Sequence, residues 1–146
     1  MALAAILASG CSSPKVEIVG LALVNSTPEA SEYSLKLSIS NPSDTPLALE
    51  RWEYGGQCGG RDFDPSRWMA SRTLPGHSAA TISLPLVLPG TPVDSTHWTA
   101  SGTVVYSRRQ KLMETIHDLG WPNPTVGFEV SGSVLGHDSA PPSATE

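Results

Sequence analysis

The most constraining feature of this chain is the alternation in residues 33–40. Tyr33, Leu35, Leu37 and Ile39 fall on one side; Ser34, Lys36, Ser38 and Ser40 fall on the other. A period of two describes a strand with one buried and one wet face. Each of the three aliphatics contributes roughly 1.5–3 kcal/mol when fully buried. The run stops at Asn41-Pro42. Proline has no N–H for a ladder and drives the residue before it out of the helical region. The Asn41 amide can bond nearby backbone and hold a turn. Ser43-Asp44-Thr45-Pro46 completes the reversal, and apolar spacing resumes at Leu47. The unit reads as strand, turn, strand, a paired ribbon with an Asn-Pro corner.

The rest of the chain repeats this grammar. Residues 15–25 form a first strand whose later half is apolar on both faces, as in a strand covered on both sides. After the corner, Leu47, Leu49, Trp52 and Tyr54 lose the period of two between Leu49 and Trp52, which places a bulge near Glu50-Arg51. Residues 55–60, GGQCGG, read as a glycine-rich turn, and residues 61–72 as irregular with a weak strand near their end. A turn at residues 74–78 leads into a strand at 79–88, where Pro85 marks an edge. Residues 95–108 form a strong strand, 108–121 a charged connection with one helical turn near 111–115, and 125–135 the last strand. Thirteen glycines and thirteen prolines suit many short strands better than long helices. The fold class is therefore all-β, an antiparallel sandwich of immunoglobulin or fibronectin-III type with about seven strands. Residues 16–135 make the domain, and 136–146 form a tail without core residues, expected to be disordered.

The N-terminal residues MALAAILASG are apolar and small, and too few to cross a bilayer as a helix. Ala8-Ser9-Gly10-Cys11 resembles the bacterial lipobox. The resemblance implies a lipoprotein signal peptide at residues 1–10, acyl chains on Cys11, and a tether over 11–15 that begins Ser12-Ser13-Pro14. No Lys or Arg precedes the run, which leaves room for a start upstream of Met1. Ser12 after the cysteine resembles lipoproteins retained in the outer membrane, so the expected location is the envelope, lipid-anchored and facing the periplasm. Lipid on Cys11 would leave Cys58 unpaired; a Cys11–Cys58 disulfide is the other formal pairing, and lipidation excludes it. Arg61 lies close enough to Cys58 to favour a reactive thiolate, against the plainer role of a small loop residue.

The strand at residues 35–40, Asn41-Pro42, then Pro46-Leu47 with Leu49 and Tyr54, the strand at 79–84, and Gly102 together resemble the group-2 late-embryogenesis-abundant family. Its domain is also called the WHy (water stress and hypersensitive response) domain. The resemblance spans about residues 16–134. It implies a fibronectin-like sandwich, no enzymatic activity, and protection of proteins during drying or freezing. Members of the family often carry a longer glycine-containing segment after the tyrosine; here that segment holds Trp52, Trp68 and Cys58, and a partner surface particular to this chain is expected at Trp52, Tyr54 and Trp68.

Sites for chemistry are sparse. His77, His97, His117 and His137 recur every twenty residues in unlike contexts, without the close pairs of zinc sites. No metal and no cofactor is expected. Glu50, Glu53, Asp62 and Asp64 could supply paired carboxylates for hydrolysis, or merely form a solvated loop. No Gly-x-Ser-x-Gly elbow occurs. Net charge is −5 with scattered basic residues, so nucleic acid is not an expected partner. The reading is a monomeric stress-protective lipoprotein that touches client proteins or membrane surfaces weakly. The alternative is an accessory lipoprotein that binds one envelope protein or glycan, and an envelope hydrolase ranks last.

Overall fold

The computed structural model describes residues 13–69, 71–92, 97–108 and 117–133. Nine strands follow one another among them: β1 (Lys15–Ser26), β2 (Ala30–Asn41), β3 (Leu47–Cys58), β4 (Arg61–Asp62), β5 (Ser66–Trp68), β6 (Arg72–Leu74), β7 (Ser78–Pro89), β8 (His97–Arg108) and β9 (Thr125–Ser133). They build two antiparallel sheets. One has the order β1-β2-β7; the other runs β4-β3-β8-β9, with β5 and β6 also pairing along β3. The expected sandwich is thus present. The helical turn expected near 111–115, the tail from 136 and Cys11 lie outside the described residues.

The alternation in β2 does what its pattern requires. Tyr33, Leu35, Leu37 and Ile39 are buried and face Leu47, Leu49, Trp52, Tyr54, Trp98 and Val104 of the other sheet within one core. The Asn-Pro corner, however, is not a hairpin. β2 pairs with β1 and β7, and β3 pairs with β8, so the two strands flanking the corner belong to different sheets. Both carry an apolar face. An arch that lays those faces against each other buries more apolar surface than a ribbon pairing the strands side by side.

Other expectations need correction. β3 does not stop at Tyr54; it continues through Gly55 and Gly56 to Cys58, and the turn shrinks to Gly59 and Gly60 at φ 58° and 79°. Gly56 is extended because it lies against β8: a Cβ there would sit 2.1 Å from the Thr99 carbonyl oxygen. Residues 61–74 are less irregular than their sequence suggests, since β4, β5 and β6 each pair with β3. β1 is not covered on both sides. It is an edge strand, with Val19 and Val24 more than half exposed. The bulge expected near Glu50-Arg51 is there, as a register shift between Leu49 and Arg51. Pro85 lies on β7, an edge strand.

One contact ties the two sheets together and a second packs the larger sheet tightly. The Tyr54 hydroxyl on β3 donates to the Pro85 carbonyl oxygen on β7 at 2.8 Å. Gly102 on β8 lies opposite Phe128 on β9, and the Phe128 ring also meets Trp52 edge-on at 5.9 Å. A Cβ at residue 102 would stand 2.3 Å from the Glu53 carbonyl oxygen and 2.9 Å from Phe128 Cζ.

Gly102→Ala should therefore cost about 1–3 kcal/mol through overpacking, read as a lower urea midpoint. Tyr54→Phe should cost about 0.5–1.5 kcal/mol. Burial pushes the Tyr54 phenol up from 10.0 to about 12, opposed by a hydrogen bond from Ser66. The folded state then holds that proton more tightly than the unfolded chain. Stability should be unaffected by this group below pH 10 and fall as pH rises from 10 to about 12. In Tyr54→Phe that fall should be reduced.

Candidate functional site

The described residues hold one buried polar hub, at Asn41. The side chain is 1% exposed. Its Nδ2 donates to the carbonyl oxygens of Thr45 at 2.8 Å, Pro75 at 3.1 Å and Leu74 at 3.2 Å. Its Oδ1 accepts from the Ser43 hydroxyl at 2.7 Å and the Ser43 backbone N–H at 3.2 Å. Two N–H groups serve three carbonyls, so at least one bond is shared. The amide thereby ties the end of β2 to its own loop and to the turn between β6 and β7. That second turn docks from its side: His77 N–H donates to the Ser43 carbonyl at 3.0 Å, and the His77 ring meets the Asp44 carboxylate. Pro42 follows the amide and supplies no donor that would compete. This site is structural. The amide is buried and bonded through both of its polar atoms, and the His77–Asp44 pair beside it is exposed.

The aromatic surface expected at Trp52, Tyr54 and Trp68 is corrected in part. Trp52 is 0% exposed and Tyr54 5%, because alternation along β3 turns both into the core. Trp68 pairs with Trp52 across β3 and β5 and stays 36% exposed; Met69 beside it is more exposed still. The sequence signal for burial was present in the Leu47-Leu49-Trp52-Tyr54 phase, corrected for its bulge.

The acidic residues do not converge. Glu53 accepts from Arg67 at 3.0 Å and lies 3.2 Å from Arg51 Nε. Asp62 accepts from Gln57 at 2.7 Å, and Glu50 from Asn123 at 2.8 Å. Exposed pairs of this kind contribute little to stability. His77 sits at the Asn41 end of the sandwich, while His97 opens β8 at the other end, opposite Ser133. Among the described residues no three His, Cys, Asp or Glu side chains gather as a metal site would need. Cys58 is buried and free. Burial pushes its thiol up, and nearby Arg61 only partly offsets this, which disfavours the thiolate. A shallow trough of about 550 Å³ crosses the outer face of β8 and β9, lined by Ser101, Gly102, Thr103, Gly127, Phe128 and Glu129; it offers one carboxylate and no partner for it.

Sequence reasoning missed the distribution of exposed apolar groups. Ile18, Val19, Leu23 and Val24 lie exposed on β1, and Leu119 and Trp121 in the segment entering β9. β1 and β9 are the sheet edges on one flank and touch each other. On the opposite flank, Phe63 is buried and the Asp64 N–H donates to the Val87 carbonyl at 2.9 Å, joining the sheets by backbone.

No family model matches the sequence, and no curated protein does. Solved structures match the fold. A structural-genomics target, SoR45, superposes with a TM-score of 0.59 at 13% identity, covering 92% of this chain and 96% of that one. AT1g01470 from Arabidopsis thaliana gives 0.57 at 13% identity over 82% and 79%. At2g46140.1, assigned to the late embryogenesis abundant (LEA) proteins, gives 0.54 at 11% identity over 89% and 75%. The chain is an all-β sandwich with structural similarity to LEA-like proteins.

Replacing Asn41 by Ala should cost about 1–3 kcal/mol, because buried carbonyls lose their donor. Asn41→Asp should cost more, since a carboxylate oxygen would face three carbonyl oxygens. Urea denaturation of both variants checks the order. Cys58 should resist a thiol-specific aromatic disulfide reagent in the native chain and react on addition of denaturant.

Proposed function

We propose that this protein is a non-catalytic protective module, held at a bacterial envelope membrane by lipid on Cys11, that limits damage to proteins or membranes during drying and freezing. The observation that carries the protective role is the sandwich shared with the LEA-assigned At2g46140.1 over 89% of this chain. The described residues add to it: no three of their carboxylates, histidines and cysteines gather, and the Asn41 amide is spent on backbone carbonyls. The anchor rests on Ala8-Ser9-Gly10-Cys11 and on the Ser12-Ser13-Pro14 tether that follows. Acyl chains contribute about 0.8 kcal/mol per buried CH₂, so two or three would hold the chain firmly. Weak, non-specific contact suits such a module, because it must engage many surfaces and release them on rehydration.

A second reading, an accessory lipoprotein with one dominant envelope partner, draws on the exposed Trp68 and Met69. Crosslinking in cells separates the two: a single recovered partner favours the accessory role.

The protective role is tested with a drying-sensitive enzyme. Dried and rehydrated with the purified protein, it should retain more activity than with an equal mass of albumin; equal retention would remove the proposal. Mass spectrometry of the mature chain should find lipid on Cys11, and an intact Met1 would remove the anchor.

A further inference from the structure

The two flanks of the sandwich are finished differently. One is closed by buried Phe63 and the Asp64–Val87 backbone bond. The other is edged by β1 and β9, and carries most of the large apolar side chains exposed among the described residues. Two of them have a specific cause. β1 shifts register against β2 between Ile18 and Gly20 and again between Leu23 and Asn25, which makes Val19 and Val24 the inserted residues. Bulges blunt a sheet edge against further strand pairing. Here they also push two valines out, 56% and 61% exposed, onto an edge that could otherwise pair with a second copy. Leu119 and Trp121, at 73% and 68%, continue the apolar character at one end.

That end is where the chain enters the domain. Lys15 pairs with Ser40, which precedes Asn41; Asn41 bonds the carbonyl of Leu74; Leu74 pairs with Leu47; and Leu47 pairs with Arg108. Tyr106 N–H bonds the Pro124 carbonyl, so the Trp121 segment lies at the same end as the start of β1. Three residues separate Cys11 from Lys15, so the four Cα–Cα steps between them reach at most about 14 Å when fully extended.

We propose that the β1–β9 flank lies against the phospholipid bilayer, with Trp121 in the headgroup interface and Leu119, Val19 and Val24 at the acyl boundary. This rests on the lipid-anchor reading above. Tryptophan suits that depth because its ring is apolar and its N–H is polar. The chain is net acidic, at −5, so attachment is by apolar insertion and not by attraction to anionic lipid. Once Cys11 is held, the flank meets the surface at high local concentration, and individually weak contacts suffice.

The test uses the full chain with Cys58→Ala, which leaves Cys11 as the only thiol. Cys11 is coupled to a maleimide-headgroup lipid in phosphatidylcholine vesicles whose acyl chains are brominated. Bromine should quench up to about a quarter of the emission, the share of one tryptophan among four. The quenching should vanish in Trp121→Phe, persist in Trp68→Phe, and weaken with Val19→Asp and Val24→Asp together. These positions are exposed, so the variants should fold. Absent quenching, or quenching that follows Trp68, overturns the proposal. So does a dimer in solution that the two aspartates dissociate, which would make the flank a self-interface. Because the coupling is chemical, these outcomes do not depend on native lipidation, which mass spectrometry of the mature chain decides separately.

Discussion

The sandwich depends on one buried amide. At Asn41 the chain leaves one sheet for the other, and backbone carbonyls of this loop and of the β6–β7 turn converge on the buried side chain. Three of them, from Thr45, Leu74 and Pro75, meet the same Nδ2. A buried carbonyl without a donor costs about 1–3 kcal/mol, so the corner is viable only with a donor that reaches several at once. A primary amide has two N–H groups and an oxygen left over to accept from the chain that follows. Serine has too few donors for this, and aspartate has none when ionised.

Everything packed between the sheets inherits its phase from that corner. β2 delivers Leu35, Leu37 and Ile39 to the core, and β3 delivers Leu47, Leu49, Trp52 and Tyr54 from the other side. The bulge after Leu49 resets the alternation, so that Trp52 and Tyr54 stay inside. Glycines then allow close approach where the second sheet is most crowded. Gly56 and Gly102 are positions where backbone lies in the place of a side chain. The aromatic groups fill what remains, with Tyr33 against Phe63 at 5.5 Å and Trp52 against Phe128 at 5.9 Å.

Much of this was legible in the residues. Strict alternation in β2, the Asn-Pro stop, the phase slip after Leu49 and the edge signal of Pro85 each correspond to a feature of the fold. What was not legible has a common cause. Alternation reports which face of a strand is buried, but not which strand lies beside it, so the Asn-Pro corner looked like a ribbon and is an arch. Glycine pairs look like turns; Gly55 and Gly56 are extended because both pair with β8, which also presses on Gly56, a tertiary fact. An apolar strand looks covered, and β1 is not, because edge position is set by the topology of the whole sheet. The aromatic cluster misled for a related reason. Composition shows Trp52, Tyr54 and Trp68 close in sequence, while the pleat sends the first two inward and leaves only Trp68 at the surface.

The edge position of β1 has a mechanical side. β1 hydrogen-bonds along its length to a single neighbour, β2, and its first rung, Lys15 opposite Ser40, adjoins Asn41. A pull delivered through residues before Lys15 loads that rung first. The antiparallel ladder can then open one rung at a time instead of resisting as a block. Peeling β1 would uncover Leu35 and Leu37 while β2, β7 and the larger sheet stay joined, so the domain has a built-in place to yield short of global unfolding.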